Sequence, residues 1–360
     1  MPKHHAGRRR LLQTAGAGAA ALGLAGLLAV GPRAAGAGQS AGGPLASLLG
    51  PREWLNTEPL QTADLAGKVV LVNFWTYSCI NSLRPLPYLK AWAEKYQDRG
   101  LVVIGAHTPE FMFEHDLAKV REAASTLGVG YPIVQDNDYG IWRAFGNYAW
   151  PGFYFVGSDG RVRRQALGEG DYDRSERWLQ QLLSEIADAP VTDAIEDVVG
   201  EGVQAAPDFA SIRSPETYLG YGRAENFASP GGVREDLPAV YEAPGRLSLN
   251  RWGLGGAWTL GREFAVLDAP GGMIAFRFHA RDLNFVLGLE PGVEAVRYRV
   301  AIDGAAPGEG RGVDADADGT GVVDRDRMYQ LVRQAGSVAD RTFSIEFLDP
   351  GVRAYVFTFG

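Results

Sequence analysis

The 360-residue chain is 46% hydrophobic and 22% charged, an ordinary globular composition with enough length for two buried cores. Its formal net charge of -8 leaves no general cationic surface, which argues against a nucleic-acid partner. A single cysteine, Cys79, excludes an internal disulfide framework, so the folds must hold by burial alone.

At the amino terminus, Lys3, Arg8, Arg9 and Arg10 precede an uncharged Ala/Gly/Leu stretch from Leu11 to Pro32 and the small residues Ala35-Gly36-Ala37. That layout predicts an export signal over 1–37. Gly7-Arg8-Arg9-Arg10-Leu11-Leu12-Gln13 resembles the twin-arginine export motif, with Gly7 where Ser or Thr is preferred and Gln13 where Lys is frequent. Cleavage is the expectation. An uncleaved membrane anchor is the alternative, since about 20 apolar residues can span a bilayer, although the Gly and Ala content makes a poor span. Either outcome places the folded part outside the cytoplasm, in the periplasm or cell envelope. Residues 38–53 are small and polar at first and read as a flexible lead-in.

A first domain is expected over 54–186. Lys68 to Trp75 is a continuous apolar run, the mark of a strand buried on both faces. Leu83 to Tyr96 keeps helical spacing until Asp98-Arg99-Gly100. Leu101 to Ala106 is a second strand, Asp116 to Leu127 an amphipathic helix, Tyr131 to Val134 a short strand and Tyr139 to Phe145 a short helix. Gly152 to Gly157 and Val162 to Ala166 flank Ser158-Asp159-Gly160, a hairpin signal, and Arg174 to Ile186 is a closing helix. This alternation predicts an α/β sheet. Residues 187–211 turn acidic and Ala/Pro-rich and read as a linker. Beyond them, over 212–360, short strands recur: Arg246–Leu249, Ala257–Leu260, Phe264–Leu267, Gly272–His279, Asn284–Gly288, Ala295–Ile302, Gly321–Val323, Arg327–Val332, Thr342–Phe347 and Arg353–Phe359. With so little helix, they predict an all-β sandwich of jelly-roll type.

The chemistry candidate lies where the buried strand gives way to a helix, at Trp75-Thr76-Tyr77-Ser78-Cys79-Ile80-Asn81-Ser82. A thiol in the first turn of a helix faces unpaired N–H groups, which favour the thiolate. The pattern strand-Trp-x-x-x-Cys, with Pro87 at the helix kink, resembles thioredoxin-family architecture. Phe74 to Asn81, Leu86-Pro87-Tyr88, His107-Thr108-Pro109-Glu110-Phe111 and Gly168 to Arg174 are similar to the redox domain of DipZ-type and TlpA-like extracytoplasmic thiol proteins. The resemblance implies a cis-proline at Pro151, flanking the sulfur and receiving an extended substrate, and Trp75 packed over the thiol. It also marks a departure, because Ser82 stands where those proteins carry a second cysteine. The first thiolate of such a pair attacks a disulfide and the second resolves the product; Ser82 cannot do so, although its hydroxyl can hydrogen-bond the sulfur. The expected activity is therefore thiol–disulfide exchange through Cys79 alone, with a protein or low-molecular-weight thiol or disulfide as partner and Glu110 as a candidate for proton transfer. No cofactor and no metal is expected.

Two other readings stand beside it. Thr76-x-x-Cys79 matches the end of the peroxiredoxin motif, which needs a proline where this chain has Val72, and suggests a single-cysteine peroxidase. Alternatively, the first domain is an inert scaffold and the protein binds envelope partners. Ser214 to Tyr221 and Phe343 to Val352 resemble the module after the redox domain in DipZ-type proteins, which is similar to carbohydrate-binding jelly rolls. Trp252, Trp258, Tyr218 and Tyr221 are the rings available to stack on a glycan, with core packing the ordinary role for such rings. Asp314-x-Asp316-x-Asp318-Gly319 has the spacing that opens a calcium loop but meets Arg325 where a closing Glu is needed, so a solvated acidic turn is expected.

Overall fold

The computed structural model describes residues 43–360; the export signal read at 1–37 lies outside them. The first domain runs β1 (Trp54–Leu55), α1 (Thr62–Leu65), β2 (Val69–Trp75), α2 (Ile80–Leu83), α3 (Leu86–Tyr96), β3 (Leu101–His107), α4 (Leu117–Thr126), β4 (Ile133–Gln135), α5 (Gly140–Phe145), β5 (Gly152–Val156), β6 (Val162–Leu167) and α6 (Tyr172–Ser184). Its strands form one mixed sheet in the order β1-β4-β3-β2-β5-β6. β2, β3 and β4 are parallel, while β1, β5 and β6 run antiparallel to their neighbours.

β2 is central because every one of its side chains finds apolar cover. Val69, Leu71 and Trp75 face Leu86, Leu89 and Trp92 of α3 and Leu179, Leu182 and Leu183 of α6. Val70, Val72 and Phe74 face Ile141 and Phe145 of α5. A sheet covered on both faces needs such an unbroken apolar run. The expected helix from Leu83 is two pieces, because Pro85 and Pro87 supply no N–H to continue it; both fall at the start of α3, where none is needed.

Two connecting segments are corrected. Over 43–53 the lead-in is packed: Pro44–Leu48 forms a 3-10 turn, Leu48 is fully buried, and Arg52 pairs with Asp138 at 2.8 Å. The surrounding small residues mask its two buried leucines, Leu45 and Leu48. Residues 187–211 form a strap: Val191 is buried, Glu196 and Asp193 pair with Lys95 and Arg99, and the Val198 carbonyl accepts from Tyr88.

The second domain comprises β7 (Thr217–Tyr218), β8 (Pro238–Tyr241), β9 (Trp252–Leu260), β10 (Ala265–Leu267), β11 (Gly272–Phe278), β12 (Asp282–Leu289), β13 (Val296–Ile302), β14 (Thr320–Val323), β15 (Arg327–Arg333), β16 (Arg341–Phe347) and β17 (Val352–Phe359). They make one eleven-stranded sheet with path β14-β13-β16-β11-β9-β10-β17-β12-β15, β7 adding to β17 and β8 to β9. All these strand pairings are antiparallel. The sheet curls on itself as β9 changes partners near Gly256, at φ 95°. Phe276 of β11 and Phe343 of β16 thereby meet Phe357 of β17 across the core. Arg246–Leu249, read as a strand, is a turn: only Leu247 is buried, and Asn250 follows at φ 65°.

The two domains share apolar contacts. Val286, Met328, Tyr355 and Val356, from β12, β15 and β17, join the core of the first domain, and the Tyr355 ring lies 5.0 Å from those of both Phe111 and Phe113. This face of the curled sheet therefore covers the end of the first sheet at which β2 finishes. No helix among the described residues is long and apolar enough to cross a membrane.

Candidate active site around Cys79

β2 delivers the chain to Trp75, the loop Thr76–Ser78 turns it, and Cys79 is the N-cap residue of α2. Cys79 is only 8% exposed. Burial drives its thiol pKa well above the ordinary value, and the charges of Glu110 and then Glu216 add to the rise; the side chain and backbone of Ser82 oppose it. The expectation of an easily ionised thiol is thus overturned for this conformation. A four-residue helix presents little aligned dipole, and desolvation beside two carboxylates outweighs it.

Ser82 is fully buried and its hydroxyl has no other partner. Trp75 is fully buried as well, with its indole in the core, edge-on to His107 and close enough to Gly105 that a side chain there would strike it. The Trp150–Pro151 peptide is cis. Phe74 pairs with Gly152, so Pro151 lies at the same sheet end as Trp75 and the Cys79 loop. The Pro151 carbonyl accepts from Gly168 N–H at 2.8 Å, and Trp150 Nε1 donates to the Thr108 carbonyl at 3.0 Å. Glu110 Oε1 accepts from Tyr218 OH at 2.8 Å and Arg223 Nη1 at 2.9 Å.

Residues 51–165 match the AhpC/TSA family and residues 214–360 the family described as "Thioredoxin like C-terminal domain". Protein DipZ of Mycobacterium tuberculosis is 37% identical over 251 residues, 68% of this chain. The chain is a thioredoxin-like homologue of DipZ. It spans 35% of the length of that relative. Thiol-disulfide oxidoreductase YkuV of Bacillus subtilis is 29% identical over 39% of this chain and 95% of its own length. A solution structure of a thioredoxin-like protein in the oxidized form is 30% identical, covering 39% of this chain and 94% of that one, with a TM-score of 0.36.

In this DipZ homologue one buried site residue, Glu114, escaped the sequence reading. Glu114 is fully buried, and its carboxyl accepts from Ser78 Oγ at 2.6 Å, Ser78 N at 3.3 Å, Glu110 N at 2.6 Å and Phe111 N at 3.0 Å. It ties the loop before Cys79 to the loop after β3. Burial lifts its pKa to about 7 against the lowering effect of those donors. A glutamate set in Phe111-Met112-Phe113-Glu114 was the available signal. His107, also buried, lies between the Trp75 and Tyr77 rings, and burial drops its pKa to about 3. Thr76 is buried too, its hydroxyl 3.5 Å from His107 Nε2.

Glu216, Tyr218 and Arg223 arrive from the second domain. Asn81 Nδ2 donates to Glu216 Oε1 at 3.5 Å, and Tyr218 OH also reaches Glu216 Oε2 at 3.3 Å. Glu216 is an exposed residue, yet protein crowds its carboxyl and, with Glu110, raises its pKa. No local pattern ties these residues to the Cys79 site, since they lie more than 100 positions from Glu110.

The candidate glycan rings are committed elsewhere. Trp252 and Trp258 are fully buried in the β-domain core, Tyr218 is stacked with Arg223, and Tyr221 OH donates to Asp236. They therefore provide no open sugar platform. Asp314 is engaged by Arg327 and by the Gln330 N–H, while Asp318 accepts from Thr320. Among the described residues, no group of three or more His, Cys, Asp or Glu is placed to hold a metal ion.

Proposed function

We propose that the protein is an exported thiol–disulfide exchange protein that works through Cys79 alone. The observation that carries this reading is the position of the sulfur, just past the end of the central strand and at the same end of the sheet as cis-Pro151, with the buried Ser82 hydroxyl one helical turn away and free of other bonds. The Cys79 sulfur, once deprotonated, attacks one sulfur of a partner disulfide. A Cys79–partner disulfide forms, and the other partner sulfur leaves as thiolate, taking up the proton that Cys79 released. Ser82 lacks a sulfur to complete the cycle, so an external thiol attacks the mixed disulfide and returns Cys79 to its reduced form. Export rests on Arg8-Arg9-Arg10 and the apolar stretch that follows.

The test is incubation with glutathione disulfide followed by intact mass measurement. A glutathione adduct should form on wild type, be absent from Cys79→Ser, and be released by added thiol; absence of the adduct sinks the proposal. A second reading, a scaffold with lapsed chemistry, draws support from the disfavoured ionisation of Cys79. Ser82→Cys separates the two: a competent site should gain disulfide reductase activity, and an inert dithiol form would favour the scaffold.

A further inference from the structure

The approach to Cys79 is occupied by the protein's own second domain. Arg223, an exposed residue, places its guanidinium 3.5 Å from the centre of the Tyr218 ring and 5.6 Å from that of Phe111, with Nη1 on Glu110 Oε1. This is a guanidinium site built from two aromatic faces and a carboxylate. Glu216 bonds to Asn81, two residues past the sulfur, and Glu263 accepts from Met112 N–H beside the same loop. Three carboxylates thus surround one exposed arginine, while the Ser82 hydroxyl, one helical turn from Cys79, is fully buried and unpartnered.

We propose that the Arg223 side chain is a displaceable latch beside Cys79, and that it occupies the place of a cationic side chain carried by the disulfide partner. This inference rests on the exchange function proposed above and specifies its substrate: a disulfide with an arginine or lysine close to the attacked sulfur. The backbone here is fixed, with β7 paired to β17 and Leu219 buried, but the contacts of the half-exposed Arg223 side chain are rim contacts, of the class that exchanges readily with competing charges. When such a partner arrives, its cation replaces Arg223 on Glu110 and the aromatic faces, and the arginine side chain swings into solvent while β7 stays paired. A partner with acidic groups at that place meets Glu110, Glu216 and Glu263 and is repelled.

Methanethiosulfonate reagents test this without requiring redox turnover. Each forms a disulfide with Cys79: the thiolate attacks the sulfenyl sulfur, methanesulfinate leaves, and the thiol proton passes to buffer. Rates are compared for a trimethylammonium-ethyl reagent and a sulfonato-ethyl reagent, on wild type, Arg223→Gln and Arg223→Lys. Arg223→Gln should speed modification by the cationic reagent about tenfold more than by the anionic one, with the preference shrinking as salt is added. Arg223→Lys should stay near the wild-type rate. Equal acceleration of both reagents, no acceleration of either, or preference for the anion overturns the proposal. Failure to form a glutathione adduct while the charge preference persists would strike the exchange function and leave the latch standing.

Discussion

Glu114 offers a sharp pH test of the site. Its carboxyl is fully buried with a pKa raised from 4.5 to about 7, whereas the unfolded chain restores the ordinary value. Below pH 4.5 both states are protonated and no penalty exists. Between 4.5 and 7 the unfolded state loses its proton while the folded state keeps it, so stability falls as pH rises, and the loss is complete above 7. A shift of that size corresponds to about 3 kcal/mol. Glu114→Gln removes the titration but turns an amide N–H₂ toward a pair of N–H or O–H donors, leaving buried donors unsatisfied at about 1–3 kcal/mol each. The variant should therefore be about 2–3 kcal/mol less stable than wild type at pH 5, with the gap closing by pH 8. Urea unfolding followed by far-UV circular dichroism at several pH values measures it. A gap that stays constant across this range refutes the reasoning.

Three further outcomes are expected. Arg84→Ala leaves Glu169, paired at 2.7 Å and nearly buried, without its partner and should cost about 3–5 kcal/mol in denaturant unfolding; the double change Arg84→Met, Glu169→Leu should recover most of that loss. Gly319→Ala places a Cβ 2.1 Å from the Val300 carbonyl at φ 88° and should lower the melting temperature of the β-domain, by at least about 2 kcal/mol in equivalent stability. Alkylation of wild-type Cys79 by iodoacetamide should still be accelerating above pH about 8.5, where a free cysteine is half ionised, since burial and two carboxylates hold the thiol protonated; a plateau below that pH would show an activated thiolate.

What could be read from the sequence was written in local pattern. Val69 to Trp75 announces a doubly covered strand because seven consecutive positions accept apolar or buried groups, and Ser158-Asp159-Gly160 announces the β5–β6 hairpin because Gly160 takes φ 75°. The position of Cys79 at the mouth of α2 was legible for the same reason. Its ionisation was not, since that depends first on burial and then on the charges of Glu110 and Glu216, and Glu216 comes from the second domain, which packs Tyr355 against Phe111 and Phe113. Trp252 and Trp258 were ambiguous because a ring in a strand has the same composition whether it faces a sugar or a core. The curling of β9 decides between these, turning both inward. The leucines Leu45 and Leu48 were hidden by their glycine-rich neighbours, and only the folded apolar cluster that β2 shares with α5 gives them a destination.

The sharing of Val286, Met328, Tyr355 and Val356 with the thioredoxin-like core makes this pair of domains unlike beads joined by string. An excised N-terminal half would carry a greasy wound where those four side chains had been, alongside an unshielded thiol. Swapping in a different C-terminal module would require recutting that seam residue by residue, so in this architecture the β-domain and the thioredoxin-like domain are constrained to change together.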